Sequence, residues 1–378
     1  AASCCPCLLL STIEHLKSTG QGMQPAVELW RYLQPQLIKG IRKEIDTEAH
    51  VSMLEAYSEC FDLVGEATHD PESLKAASEA FNKVLKKYFD ARANRSKLRG
   101  EGEDEDFDEF DKEKLENAII RDDDVVALIA EMTGKLFKAY GPLYFPHFSP
   151  HIATWKQFLQ PGCRERDTQI AMCIFDDMTE HMREAAAPHV SDLFNIYGAL
   201  CTSESSDIRQ ASVFGLGLFA QYCGSSFAPV ANNVANALCQ VISHNDARAE
   251  GNVHPTENAI SAVGKMCLHQ PDSVDLAKFV PAFVSFLPVC EDKEESPVTY
   301  STLAALMDKH PDLVLGSDSA KLPHILHLFG AVLGSDLVDE KATERIVTSI
   351  KRLESANQKL FQEGCGVLSQ EERQKIIR

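Results

Sequence analysis

The chain has 378 residues, of which 44% are apolar, so it can bury a large core. Its 56 acidic and 37 basic residues give a formal net charge of −19, which argues against a surface for nucleic acid or anionic membranes and favours basic partners. The 12 cysteines are scattered through apolar patterns, as in a reduced cytosolic or nuclear protein, and no apolar run approaches the roughly 18 residues of a membrane span.

The first 145 residues show the 3.6-residue periodicity of helices that follow one another in pairs, without the alternation typical of strands. The opening AASCCPCLLL lacks an initiator Met and a basic leader, which suggests a segment of a longer protein. Helices are predicted near 2–18, 25–42, 47–67, 70–96 and 122–140.

An acidic segment, residues 101–124, interrupts this pattern with 13 acidic and 3 basic residues, a net charge of −10. Like-charge blocks are usually solvated and disordered. The alternative is an electrostatic latch for a basic ligand, with Phe107 and Phe110 as apolar anchors. The candidate residues of this latch are Glu103, Asp104, Glu105, Asp106, Asp108 and Glu109.

Residues 146–378 repeat a helix-start signal with a proline near the first turn, where its missing N–H leaves no hydrogen bond unmade. The prolines are Pro146, Pro188, Pro229, Pro281 and Pro323. Their spacings are 42, 41, 52 and 42 residues, and an extra loop near 245–254 accounts for the longest. Between consecutive prolines the periodicity predicts two helices, and a two-helix unit every ~40–47 residues is the signature of HEAT and armadillo repeats.

These repeats predict an all-α fold: one right-handed HEAT-repeat α-solenoid of about eight to nine helix pairs. It would span residues 1–378 as a single domain, less regular over 1–145 and regular over 146–378. Gly215 and Gly217 lie inside a predicted second helix of a pair, where each glycine costs about 1 kcal/mol relative to alanine. We therefore expect a neighbouring helix to approach closely there.

The stretch IAMCIFDDMTEHMR, residues 170–183, is a helix with a cluster of acidic residues. Its apolar residues lie on one side, whereas Asp176, Asp177 and Glu180 project from the other and His181 lies near the boundary. Neighbouring carboxylates repel one another at these spacings, and a metal ion or a cationic ligand would relieve the repulsion. Three interpretations remain open: a metal or catalytic site that includes His181, a plain solvated face, and an acidic ridge that faces a ligand.

A second candidate lies in HPTENAISAVGKMCL, where Asn258, Ser261 and Lys265 align on one helix face beside Glu257. Asn and Ser have weak helix propensity, so their alignment favours a binding surface over a face chosen only for stability. An ordinary polar face is the alternative.

Other chemical signals are weak. Cys4 and Cys7 form a C-x-x-C without a second pair, and Pro150 separates His147 from His151. No phosphate-binding loop, G-x-S-x-G or H-E-x-x-H motif is present. The sequence therefore predicts neither an enzyme nor a cofactor or metal.

Several stretches resemble, in this order, the C-terminal HEAT repeats of the importin-β (karyopherin-β) family, in particular its beta-3 branch. The stretches are QIAMCIFDDMTEH, IRQASVFGLGLFAQYCG, ENAISAVGKM, FLPVCEDKEE and LSQEERQKI. The insert EDEDFDEF falls where that branch carries an acidic loop with aromatic residues. The resemblance is strongest over 144–310 and loose over 1–100.

The resemblance implies a nuclear import receptor whose acidic concave surface binds basic cargo such as ribosomal proteins or histones. RanGTP would release the cargo, mainly through repeats that this chain lacks, and Phe-Gly nucleoporins would permit passage between cytoplasm and nucleus. Second helices of each pair would line the concave wall. The cargo-binding candidates are Asp176, Asp177, Glu180, Glu257, Asn258 and Ser261.

The expected partners are therefore basic cargo, Ran GTPase and nucleoporins, with no direct nucleic acid or membrane contact, and the protein is expected to be a monomer. Two other hypotheses compete with this one. A HEAT-repeat scaffold of a signalling or trafficking complex would keep its partners at high salt. A metal-dependent hydrolase centred on the acidic residues of 170–183 would contain a stoichiometric metal ion.

Overall fold

The computed structural model describes residues 2–65, 70–101 and 109–377, and for 92–101, 109–115 and 118 it describes the backbone alone. Within these ranges every regular element is a helix, and no helix there is long and apolar enough to cross a membrane. The chain divides into two compact units, Ala1–Met182 and Arg183–Arg378.

The first unit stacks helix pairs. Its helices are α1 Cys4–Ser18, α2 Gln24–Lys43, α3 Thr47–Val64, α4 Pro71–Glu101, α5 Glu109–Tyr140, α6 Phe145–Phe148, α7 Ile152–Gln157 and α8 Glu165–Met182. The second helices α1, α3, α5 and α8 each contact the next, while α2, α4 and α6 form a parallel row of first helices. The predicted helices near 2–18 and 25–42 are confirmed, and the one near 47–67 is confirmed as far as Val64, since residues 66 and 67 lie outside the described part of the chain.

The second unit continues the pattern. Its helices are α9 Ala187–Val190, α10 Phe194–Leu200, α11 Ser206–Tyr222, α12 Ala228–Ile242, α13 Val253–His269, α14 Leu276–Phe286, α15 Glu295–Lys309, α16 Pro311–Leu315, α17 Leu322–Val332, α18 Glu340–Ala356, α19 Gln358–Cys365 and α20 Gln370–Ile376. The second helices α11, α13, α15 and α18 again contact one another in order.

Aromatic side chains form the core of both units. In the first unit the rings of Trp30, Tyr57 and Phe81 contact edge to face, with centroids 5.3 and 5.5 Å apart, and so connect α2, α3 and α4. In the second unit Phe194 packs between Phe219 and Phe227 at 5.0 and 5.1 Å. Such contacts add about 0.5–1.5 kcal/mol each beyond the apolar area they bury.

Helix α13 is buried from Pro255 to Cys267. Two glycines allow its neighbours to come close: a Cβ on Gly217 of α11 would lie 3.3 Å from Ala262 Cα, and one on Gly264 would lie 2.7 Å from Phe283 Cε2. The expected close approach at Gly217 is confirmed.

Prolines occupy the first turn of the helices that contain Pro146, Pro188, Pro229 and Pro323. The expectation is wrong for Pro281, which lies inside α14. That helix begins earlier because the Asp275 side chain caps it, accepting a hydrogen bond from the Lys278 N–H at 3.2 Å.

The acidic segment is also more helical than predicted. Helix α4 continues to Glu101 and α5 already begins at Glu109, so residues 109–124 are not a loop. Glu, Lys and Leu are good helix formers, and acidic residues near the start of α5 are favoured by the partial positive charge of a helix N-terminus. Residues 102–108, which hold Glu103, Asp104, Glu105, Asp106 and Asp108, lie outside the described part of the chain.

Candidate binding surface

The second helices of the first unit carry a surface on which Asp177 and Glu180 of α8 are both half-buried. The Asp177 carboxyl lies against Gly134 of α5, where an added Cβ would collide with Asp177 Oδ2. Burial and the charge of Glu180 raise the pKa of Asp177 to about 7, against the opposing effect of Lys138. At neutral pH this carboxyl is therefore close to half ionised, and a bound cation would complete its ionisation.

Asp176, the third member of the predicted ridge, does not belong to this surface. It is 4% exposed, and the expectation that it projects away from the core is wrong. A second helix packs against neighbours on more than one side, so the buried arc of α8 is wider than its apolar stripe.

Helix α3 carries an acidic row that was not among the residues predicted from the sequence. Glu48, Glu55, Glu59 and Asp62 lie on its exposed side. Their spacings of 7, 4 and 3 residues repeat along one helix face opposite the apolar stripe, and this signal was present in TEAHVSMLEAYSECFDLV.

Helix α5 lies between α3 and α8 and neutralises part of this row. Lys135 Nζ lies 2.6 Å from Asp62 Oδ2 and 2.9 Å from Glu131 Oε1, and Arg121 Nη1 lies 3.1 Å from Glu48 Oε1. Because Lys135 and Arg121 are already paired with carboxylates of the protein, they contribute little to the attraction of an anionic partner.

Four carboxyl groups of this surface have no cation as a partner at short range in the described part of the chain. Within the described residues, Glu55 and Glu59 of α3 and Asp177 and Glu180 of α8 form no ion pair closer than 4 Å. We call these four residues the acidic face. Lys138 acts on Asp177, but its effect is smaller than that of burial and Glu180, which raise the pKa of this carboxyl.

The end of the acidic segment contributes little to this surface. Asp123 is buried, and its Oδ1 accepts a hydrogen bond from Arg164 Nη2 at 2.8 Å. Asp124 pairs with Arg166 at 3.4 Å. Arg164 and Arg166 come just before and at the start of α8, so these acidic residues of α5 connect two helix pairs. Glu109 begins α5, and its side chain lies outside the described set.

The second predicted cluster is internal, which corrects the expectation that it faces a partner. Glu257 is 0% exposed, and its two carboxylate oxygens accept the backbone N–H groups of Cys290, Glu291 and Asp292 at 3.0, 2.9 and 2.8 Å. Arg248 Nη1 lies 3.3 Å from the same carboxylate. Glu257 therefore holds the segment before α15 against α13.

Asn258, next to Glu257, acts in the same way, as do Ser261 and Lys265 one and two turns further along α13. Asn258 Nδ2 donates to Asp292 Oδ2 at 2.6 Å. Lys265 Nζ lies 2.9 Å from Glu295 Oε2, to which Ser261 also donates a hydrogen bond. The alignment that favoured a binding surface is thus explained by a polar contact between consecutive helix pairs.

Among the described residues, no group of three or more His, Cys, Asp and Glu side chains is arranged to hold a metal ion. The chemistry that the acidic face supports is the reversible pairing of carboxylates with ammonium or guanidinium groups.

The chain is similar in sequence to known importins. A family model described as importin repeat 6 matches residues 50–161. Importin subunit beta-3 of Saccharomyces cerevisiae is 22% identical over 356 residues, which cover 92% of this chain and 31% of that protein.

Solved structures of Kap121p share the fold. Kap121p bound to the SUMO protease Ulp1p superposes with a TM-score of 0.74 at 18% identity, covering 100% of this chain and 32% of that one. Kap121p bound to RanGTP superposes with a TM-score of 0.67 at 19% identity, covering 100% and 31%. The all-α HEAT-repeat class is thereby confirmed, and the chain spans about a third of the length of these relatives. In its stacked helix pairs, its importin-repeat match over residues 50–161 and its 22% identity to importin beta-3, the chain is similar to proteins of the karyopherin-β (importin-β) family.

Proposed function

We propose that this chain is part of a nuclear import receptor of the beta-3 type and that its acidic face binds basic segments of cargo proteins. The observation that carries the proposal is the set of four carboxylates, Glu55, Glu59, Asp177 and Glu180, which no neighbouring cation pairs with in the described structure. Glu55 and Glu59 are neighbours on α3, and Asp177 and Glu180 are neighbours on α8, so the repulsion within each pair is relieved when a lysine or arginine side chain binds there.

The names of the relatives support the same role. Kap121p has been solved bound to the protein Ulp1p and to RanGTP. For this protein we propose protein cargo, release by RanGTP in the whole receptor, contact with Phe-Gly nucleoporins, and shuttling between cytoplasm and nucleus as a monomer. The proposed site does not include Asp176, nor the α13 residues Glu257, Asn258 and Ser261, because their side chains are buried.

Charge reversal tests the acidic face. A fluorescent peptide of alternating lysine and serine should bind the wild-type protein with an affinity that falls as salt rises, since exposed charges are screened within about 10 Å at 0.1 M. The Glu55→Lys/Glu59→Lys and Asp177→Lys/Glu180→Lys variants should each bind about tenfold more weakly, at a fraction to 1 kcal/mol per exposed pair. Fluorescence anisotropy measures both effects.

A matched control changes the same number of charges elsewhere. Glu28 and Glu79 are exposed on the first helices α2 and α4, so Glu28→Lys/Glu79→Lys should leave the affinity within about twofold of wild type. Equal weakening in the control would show that net charge alone matters. Binding that resists salt and all three variants would favour the scaffold alternative instead.

The raised pKa of Asp177 predicts a pH dependence of binding. Because only the ionised carboxyl attracts a cation, affinity for the peptide should increase from pH 6 to pH 8 as Asp177 loses its proton near its pKa of about 7. Binding near pH 7 should also release a proton into the buffer, which calorimetry in buffers of different ionisation enthalpy measures. The Asp177→Asn variant should bind more weakly and lose most of this pH dependence, whereas an unchanged profile would contradict the assignment.

A further inference from the structure

A cavity of about 530 Å³ opens in the second unit among α11, α12 and α13. Its volume lies within the range of roughly 300–1,000 Å³ that small-molecule and side-chain pockets occupy. Val241, Ala247 and Pro255 supply apolar lining. The cavity shares no residue with the acidic face and plays no part in the function proposed above.

Arg209 of α11 lines this cavity in a fixed orientation. Its Nη1 donates to the carbonyl oxygens of Ser203 and Glu204 at 2.7 and 2.8 Å, and its Nη2 donates to the Asn252 side chain. A guanidinium has five N–H groups. Within the described part of the chain, the Nε–H and one Nη2–H are therefore left without an acceptor.

Two further donors line the same cavity. The backbone N–H of Asp246 donates to His244 Nδ1 at 3.3 Å, so the ring proton lies on Nε2, which is left as a donor. The Gln240 amide has no partner within the described residues. Unused N–H groups thus come together from α11, α12 and the loop that follows α12.

Two side chains with a formal charge line the cavity, Arg209 and Glu204. Glu204 is the carboxylate among the lining residues, and it forms no ion pair within 4 Å with Arg209 in the described structure. The two unused N–H groups of Arg209 are held in place by its bonds to Ser203 and Glu204, so a carboxylate in the cavity can accept charge-assisted hydrogen bonds from them.

We propose that this cavity binds an acidic peptide segment, with one carboxylate on Arg209 and an adjacent apolar side chain against Val241, Ala247 and Pro255. The ligand is opposite in charge to the basic cargo of the acidic face. The two sites are therefore independent, and each can fail without the other.

Small peptides test the proposal on the full chain. N-acetyl-Leu-Glu-amide should bind about tenfold more tightly than N-acetyl-Leu-Gln-amide, because the second lacks the charge that strengthens the hydrogen bonds to Arg209. N-acetyl-Leu-Gly with a free C-terminal carboxylate separates a chain terminus from a side chain as the source of that group. Methyl NMR should show the Val241 signals shifting with the peptide that binds.

Variants locate the carboxylate contact. Arg209→Gln should reduce binding of the Glu peptide to the level of the Gln peptide, but it also removes hydrogen bonds that hold the neighbouring loops. Gln240→Ala loses no hydrogen bond within the described structure and should weaken binding several-fold without a change in unfolding temperature. Arg352→Gln on α18 is the control and should bind like wild type. Equal affinity for the Glu and Gln peptides, unmoved Val241 signals, or wild-type affinity in both cavity variants would overturn the proposal.

Discussion

Replacing Lys265 by methionine should lower the free energy of unfolding of the second unit by about 3–5 kcal/mol, the range for a buried ion pair that loses one partner. Lys265 and Glu295 are 4% and 8% exposed in their side chains, and their closest atoms lie 2.9 Å apart. Without the ammonium, the Glu295 carboxylate remains buried with a hydroxyl donor from Ser261. Hydrogen exchange of α13 amides and urea unfolding measure the loss.

The double variant Lys265→Met/Glu295→Leu distinguishes a buried pair from simple damage to packing. Replacing both charges by apolar groups of similar volume removes the desolvation cost together with the attraction, so much of the stability should return. Lys293→Met is the matched control: its partner Asp336 is 70% exposed, and exposed pairs contribute about 0–1 kcal/mol. A loss in Lys265→Met no greater than in the control would contradict the prediction.

Replacing Glu257 by glutamine should lower the free energy of unfolding by about 3 kcal/mol, because an amide has one acceptor oxygen where the carboxylate has two. One oxygen of the carboxylate accepts from Cys290 N–H and Arg248, and the other accepts from the N–H groups of Glu291 and Asp292. A glutamine would turn an N–H₂ group toward one of these sets and leave buried donors unpaired.

The loss should be local and visible by residue. Hydrogen exchange at the amides of Glu291 and Asp292 should accelerate in Glu257→Gln before the rest of the unit responds. Glu291→Gln makes the same chemical change at an exposed position and should leave both the exchange rates and the unfolding midpoint within error. Unchanged protection in Glu257→Gln would show that its carboxylate does not hold the segment.

Both predictions describe how one helix pair is joined to the next. The polar contacts run between second helices: Lys135 of α5 to Asp62 of α3, Lys265 of α13 to Glu295 of α15, and Arg345 of α18 to Asp308 of α15 at 3.1 Å. A solenoid has contacts only between neighbouring repeats, so such specific pairs set the register of each junction. The acidic face depends on the same register, because its four carboxylates come from α3 and α8 on either side of α5.

Periodicity and proline positions alone predicted the helix pairs. A proline in the first turn and an apolar stripe every 3.6 residues are local properties of the sequence. They therefore predicted the helix starts at Pro188 and Pro229 correctly. Pro281 shows the limit: a cap at Asp275 starts α14 earlier, and a local proline signal does not exclude that.

The site could be predicted only in part. Asp177 and Glu180 were predicted to project away from the core, and both are half-buried, while the acidic row of α3 was visible in the spacing of its residues. Asp176 was misplaced because a helical wheel assumes one buried face, whereas α8 is buried over a wider arc. Glu257, Asn258 and Ser261 were misassigned because their partners in 290–295 lie more than 30 residues away along the chain.

Taken by itself, the sequence determined the helical class, the pairing of helices and the excess of negative charge, because these depend on composition and on spacings within one turn or one repeat. Only the tertiary structure decided which charged groups are paired within the protein and which remain available to a partner. The physical reason is that a carboxylate's role depends on the cation or N–H that reaches it: Glu257 and Glu295 are satisfied by neighbouring helix pairs, while Glu55, Glu59, Asp177 and Glu180 are not.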